Sequence, residues 1–318
     1  LYEIHTATDP VECEFLWRRT MPDEFITDLW EFRECFNRHF QRPLRFLFAE
    51  KAGQQQGLLP LCWIEEAGCL GFFPGETWKG RTWVEQNRVI SNNPGALGVL
   101  LDSCQSPYHL RYMLPLDSIP QAGCVVDEIG YLFLPPDYDY DMENYFGEFS
   151  NKSAKRIKRE LAAIEGQGVR YRFNELSDFD YMVRLSVERF GELSYFSDHR
   201  FREGFRDVAR FLAERGWLQM TTILINDEVA AVDLGSLYRG TYTLLAGGTH
   251  GGYPGVAKLI NIHHIRRACE ERFERVDFLC GDFSWKILFH LTPRPLYLLS
   301  NTPVESPLYE EAAVGSTA

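Results

Sequence analysis

Four groups of residues in this sequence have the types and spacing to do chemistry. The first is a glycine-rich turn, "GGTHGGYPGVAKL", which runs from Gly247 into a long helical pattern. The free N–H groups at a helix start, with the helix dipole, attract an anion, and glycine lets the backbone come close. Gly255, Val256 and Ala257 would be those donors, flanked by Tyr253, His250 and Lys258. Pro254 has no N–H to lose and stiffens the turn. Such turns also occur where nothing binds. The second group is the basic stretch "NKSAKRIKRELAAIEGQG" (151–168). At about 100° per residue, Lys152, Lys155, Arg156 and Arg159 share one helical face, and Ala154, Ile157, Leu161 and Ile164 the other. Residues 152–172 hold seven basic and two acidic side chains within an acidic chain, so the stripe suits a phosphate-bearing ligand or serves as a solvated face. The third is Asp282, Trp285 and Lys286, just past an apolar strand pattern; a surface salt bridge is the plain alternative. The fourth is Asp233, an acid in the middle of the strand-like "VAAVDLGSL". Strand alternation puts it on the face of Ala231, Gly235 and Leu237, where small neighbours leave room for a ligand and a general base.

Other chemistries lack support. No G-x-S-x-G elbow, H-E-x-x-H pair or Walker loop is present. The adjacent His263 and His264 would point about 100° apart on a helix, which suits packing better than a shared metal. The eight cysteines form no C-x-x-C pair, and they read as free thiols of a reducing cytoplasm, without metal. The net charge of −12 argues against general DNA binding. No apolar run is long enough to span a membrane, and "LYEIHTATDPVECEF" does not read as a signal peptide.

The elements that must position these groups follow from the hydrophobic periodicity. The 318 residues, 45% apolar and 25% charged, suit two domains of mixed α/β or α+β type. Helical patterns at Pro10–Arg19 and Thr27–Phe40 precede strands at 44–51, 56–68 and 68–75, a helix at Asn93–Ser103, and strands at 108–115 and 124–135. After the helical stretches 137–150 and 151–168, the plan repeats. Strand 169–173 leads to helices Phe179–Phe190 and Arg200–Arg215. Strands 217–226, 228–240 and 241–250 precede a helix to about Phe273, then strand 275–281, a short helix at Ser284–Phe289 and strand 295–301.

That second-half order resembles the GNAT acyltransferase superfamily. "YPGVAKL" (253–259) followed by "VDFLCGDFSWKILF" (276–289) is similar to the signature of its FemAB/CelD-like acetyltransferases. Gly281, Asp282 and Lys286 match the family's G-D-x-x-Y-K segment, with Trp285 in place of tyrosine. "YDMENYFGEFSNKSAKRIKRELAAIE" resembles its tyrosine helix and basic helix, and "GLLPLCWIE" its first-half strand. The resemblance implies two tandem GNAT-like domains: a degenerate one over 1–136, linking helices over 137–168, an acyltransferase domain over 169–303, and a tail over 304–318. It implies acyl-CoA as co-substrate, with its pyrophosphate at Gly255–Lys258, although Gly252 stands where a GNAT loop has Gln or Arg. Lys286 would stabilise an oxyanion, and Asp282 or Asp233 would take the amine's proton. Lys152, Arg156, Arg159, Trp285 and Tyr242 are candidates for holding the acceptor, an amine of an amino sugar or cell-envelope precursor. Glu188, Tyr195 and His199 lie where GNAT folds shape the acceptor site. Alternatives are a Fem-type aminoacyltransferase using aminoacyl-tRNA, or a non-catalytic binding module of the same fold.

Overall fold

Two similar runs of elements make up the chain. The computed structural model describes residues 1–115, 124–281 and 284–302; Asp282 and the expected tail at 304–318 lie outside them. The first run is β1 (Glu3–Ala7), α1 (Pro10–Thr20), α2 (Trp30–Phe40), β2 (Leu44–Lys51), β3 (Gln54–Ile64) and β4 (Cys69–Phe72). It continues with the two-residue strands β5 (Thr77–Trp78), β6 (Arg81–Thr82) and β7 (Ile90–Ser91), then α3 (Pro94–Asp102), β8 (His109–Met113) and β9 (Cys124–Phe133). α4 (Met142–Gly147) and α5 (Asn151–Glu165) lead to the second run. That run is β10 (Val169–Phe173), α6 (Asp178–Phe190), α7 (His199–Glu214), β11 (Leu218–Ile225), β12 (Glu228–Tyr238), β13 (Thr241–Thr249), α8 (Val256–Glu270), β14 (Arg275–Asp277), α9 (Ser284–Leu288) and β15 (Thr292–Ser300).

Local sequence explains the main elements. Asp198 caps α7 by accepting from the N–H groups of Arg200 and Phe201. Phe201, Phe205, Val208 and Leu212 then recur at helical spacing and are buried. Ser150 caps α5, which buries Ile157, Leu161 and Ile164 and leaves Lys152, Lys155, Arg156 and Arg159 exposed. β11 is buried along all eight residues, as a strand covered by helices on both faces must be. On one face lie α6 and α7, joined by Phe32 and Phe36 of α2. On the other lie α5 and α8. Gly204 of α7 packs against the Phe36 ring of α2; a Cβ there would lie 2.7 Å from Cδ1.

Two sheets result. The first has the order β1-β2-β3-β4, with β7 beside β3; the second has the order β10-β11-β12-β13-β14-β9-β15-β8. Within the second, β13 and β14 are parallel and every other pair is antiparallel. Strand β9, from the first run, lies between β14 and β15; β15, the last strand described, lies between β9 and β8. Each run thus lends one strand to the other. One parallel bridge, Leu70 to Tyr108, ties β4 to the start of β8. β14 is shorter than its apolar pattern predicts. It pairs for three residues, and Leu279 and Gly281 then adopt positive φ (55° and 105°).

Candidate functional site

The site begins where two parallel strands separate. β13 and β14 pair only through Thr241–Arg275, Tyr242–Val276 and Thr243–Asp277. A register shift against β12 gives β13 one extra residue, Leu245, just beyond this contact. On the other side, β14 turns away towards β9, where Tyr131 N–H donates to the Leu279 carbonyl and Phe278 N–H to the Tyr131 carbonyl. The β13 backbone from Leu244 to Thr249 therefore has no partner on its β14 side among the described residues. An open strand edge beside a cleft can hydrogen-bond an extended ligand.

The glycine turn places the start of α8 after β13. The ring Nδ1 of His250 accepts from Gly252 N–H at 3.0 Å, and Tyr253 N–H returns to the His250 carbonyl at 3.2 Å. Gly255 has φ +85°, a conformation that glycine adopts without strain, and it forms the N-cap of α8. Val256 N–H is used by the Tyr253 carbonyl, while the N–H groups of Gly255 and Ala257 find no acceptor among the described residues. Two other candidates turn aside to acids. Tyr253 donates to Glu228 at 2.6 Å, and Lys258 pairs with Glu160 of α5. The Lys258 ammonium holds Glu160 below the usual carboxylate range. Ile164 of α5 packs on Gly255, where a Cβ would lie 2.6 Å from its Cδ1.

Asp233 lies on the face of β12 that packs on α8. One carboxylate oxygen meets His264 Nε2 at 2.9 Å, and Tyr242 Oη lies 3.4 Å from the same nitrogen. All three side chains are buried. Burial first, then Asp233, keeps the Tyr242 phenol well above its usual pKa. Gly247 of β13 sits directly over the Asp233 carboxylate, and no side chain fits there. The trio clamps α8 to the floor of the cleft. His263 faces away and stacks on Tyr171 at 4.4 Å; burial pushes its pKa down to about 3. Among the described residues no three potential ligands gather as a metal site.

Lys286 is only 2% exposed. Its ammonium donates to the carbonyls of Phe278, Leu279 and Cys280 at 3.0, 2.9 and 2.8 Å, and lies 5.3 Å over the Tyr131 ring. Burial lowers its pKa, with Glu85 opposing. The lysine is what curls the chain after β14. Trp285 is half-buried and makes edge contacts with Phe278 and Phe289, at 5.5 and 5.7 Å. On α5, Lys152, Lys155 and Arg159 make no ion pair with a described residue, while Arg156 lies 3.9 Å from Glu160. Of the remaining candidates, Glu188 and His199 are exposed: Arg184 lies 3.8 Å from Glu188, and Glu203 and Arg202 lie 3.8 and 3.5 Å from His199. Tyr195 donates to the Thr82 carbonyl at 3.1 Å, across the two runs.

Residues 151–287 match the family model of the acetyltransferase (GNAT) domain. Solved structures align over nearly the whole chain. FemX superposes with a TM-score of 0.58 at 11% identity, covering 97% of this chain and 99% of that one. L-PGS from Bacillus licheniformis gives 0.59 at 10% identity, covering 93% and 94%. A protein of unknown function from Bacteroides thetaiotaomicron gives 0.58 at 12% identity, covering 94% and 99%. The chain thus has a GNAT domain over residues 151–287 and shares the fold of these structures along nearly its whole length. No functionally curated protein matches it significantly.

In this GNAT fold, the separated strands and the α8 start belong to the second half, and the first half reaches the same cleft. Glu85, on the segment between β6 and β7, accepts from Cys280 N–H at 2.9 and 3.0 Å and from the Cys280 thiol at 2.7 Å. Its neighbour Gln86 donates to Asp277 at 2.6 Å and accepts from Thr27 at 2.8 Å. Asp277 is fully buried, 2.8 Å from Arg294 of β15, and also accepts from Leu279 N–H at 2.9 Å. Sequence reading misses Glu85 and Gln86. They sit in a stretch with neither helical nor strand period, and Cys280 is 195 positions away. The only local sign is an acid following "TWV", and that is too common to mark a site.

Proposed function

We propose that the protein is an N-acyltransferase that moves an acyl group from acyl-CoA to a primary amine within a ternary complex. The single observation behind this is the separation of β13 from β14 beside a helix start with free N–H groups at Gly255 and Ala257. Those N–H groups and the α8 dipole would take the donor pyrophosphate. The open edge of β13 after Thr243 would pair with the amides of the pantetheine arm. The donor supplies the thioester. The amine forms the new C–N bond, the C–S bond breaks, and the thiolate leaves. On this reading Lys286, whose ammonium holds the carbonyls of Phe278, Leu279 and Cys280, positions the cleft wall. The Asp233–His264–Tyr242 trio likewise fixes α8. The exposed cations Lys152, Arg156 and Arg159, with Trp285, remain the acceptor candidates, and Asp282 a candidate base; Tyr242, 1% exposed, belongs to the trio instead. The acceptor we favour is an amine of an amino sugar or a cell-envelope precursor. The halves divide near 136, with 137–168 linking them to 169–303, and the family we favour is FemAB/CelD-like.

One observation favours a second reading, an aminoacyl-tRNA donor. Glu160 and Ile164 of α5 crowd the start of α8, where a pyrophosphate would sit, while the unpaired cations of α5 face solvent. Calorimetric titration with acetyl-CoA, CoA and an aminoacyl-tRNA separates the two. Binding of acetyl-CoA in the micromolar range supports the first. Binding of the tRNA alone moves the proposal to the second, and binding of neither leaves a non-catalytic module.

A further inference from the structure

We propose that Glu85, carried by the first half, is the proton acceptor for the amine that reacts in the cleft of the second half. This deepens the acyl-CoA reading above and rests on it. The argument starts from position. The Glu85 carboxylate grips the backbone of Cys280, three residues past the last paired residue of β14. That is where β13 and β14 have already separated. Cys280 itself is partly exposed. The surroundings are those of a tuned group. Glu85 is 5% exposed, and among the described residues it accepts from the Cys280 amide N–H and the Cys280 thiol. The ionisable groups facing it are Cys280 beyond β14, Asp277 at the end of β14 and Lys286 of α9. Tyr112 of β8 faces both Glu85 and Cys280, Tyr195 faces Cys280, Arg111 faces the two tyrosines, and Glu128 of β9 faces Cys280 and Lys286. Burial pushes Glu85 up to about 7, Asp277 adds to the rise, and the Cys280 thiol and N–H and the Lys286 ammonium oppose it. A base with that value is matched to work near neutral pH. Cys280 is held as a thiol, well above its ordinary value by burial and by Glu85, so it is a donor to the carboxylate and not a nucleophile.

The step balances. The ammonium of the acceptor gives its proton to Glu85. The freed lone pair forms the C–N bond, the C–S bond breaks with its electrons on sulfur, and the CoA thiolate leaves. The amide proton lost on collapse returns to bulk water or to that thiolate.

Glu85→Gln tests this, because the amide oxygen can still accept from Cys280 N–H and keep the wall in place. In wild type, kcat/KM for the amine should rise with pH through about 7. The variant should lose that rise and about 100-fold or more in kcat, with acetyl-CoA affinity within about twofold. Cys280→Ala should move the rise to higher pH, since the thiol's hydrogen bond is gone. A Glu85→Gln protein with wild-type kcat and pH profile, in a preparation that binds acetyl-CoA, overturns the role of Glu85 and leaves the acyltransferase reading standing. Failure of wild type to bind acetyl-CoA overturns that reading, and this inference with it. Infrared difference spectra supply a readout free of turnover: a carboxyl band titrating between pH 6 and 8 should vanish in Glu85→Gln, and its absence from wild type overturns the proposal.

Discussion

Glu85 and Lys286 are both buried ions, and the structure treats them oppositely. The ordinary value of the Glu85 carboxyl is 4.5 and burial raises it to about 7. A raised carboxyl favours folding below 4.5 and loses that contribution as pH climbs through 7. Glu85→Gln should therefore be more stable than wild type at pH 8 and indistinguishable near pH 5. A gain on the order of 3 kcal/mol at pH 8 is expected from the shift, read by urea unfolding at both values. Lys286 holds three carbonyls of one turn. Lys286→Met keeps most of the volume and strands those carbonyls, so about 3 kcal/mol of stability should go, with a matching fall in Tm. The sequence marks Lys286 as chemically interesting but cannot say which way its ammonium points. A strand of apolar residues, "VDFLC", predicts extended chain up to Cys280; three carbonyls converging on one cation end it at Asp277.

At the scale of elements, the start of α8 is where donor binding can be tested. Ala257 is exposed in the first turn, and its N–H is free. Ala257→Asp places a negative charge where a helix welcomes one but a bound pyrophosphate does not. Acetyl-CoA affinity should fall at least tenfold with no loss in Tm. This is a cleaner probe than a change at Gly255, whose φ of +85° and contact with Ile164 would confound folding with binding. Glu160→Gln should act in the other direction, tightening acetyl-CoA by about two- to fivefold at low salt. The gain should shrink as ionic strength rises. Helix periodicity made α5, α7 and α8 legible, and the apolar face read for α5 is the buried one. What periodicity could not reveal is that α5 leans across the end of α8, because packing angles between helices depend on neighbours far along the chain.

At the scale of the whole molecule, the repeated plan of helices, hairpin and strands was visible in the sequence. The exchange of β9 and β15 was not, since antiparallel strands of similar composition pair equally well in either half on paper. The exchange makes a test possible. Cut in the exposed loop at Asp139, residues 1–139 would keep β9 and residues 140–318 would keep β14 and β15, the two strands that flank it. The fragments should co-purify when produced together, and the larger one alone should aggregate through its bare strand edges.

The same exchange sets a schedule for synthesis. Strand β9 leaves the ribosome long before Thr292 begins β15, its partner along most of its length. At ordinary elongation rates that delay is roughly 10–30 s. Throughout it the first half waits with an unpaired strand whose partners, β14 and β15, are still to be made. Anything that stalls translation between the two strands, such as a run of rare codons near α8, would lower the yield of folded protein without changing a single amino acid.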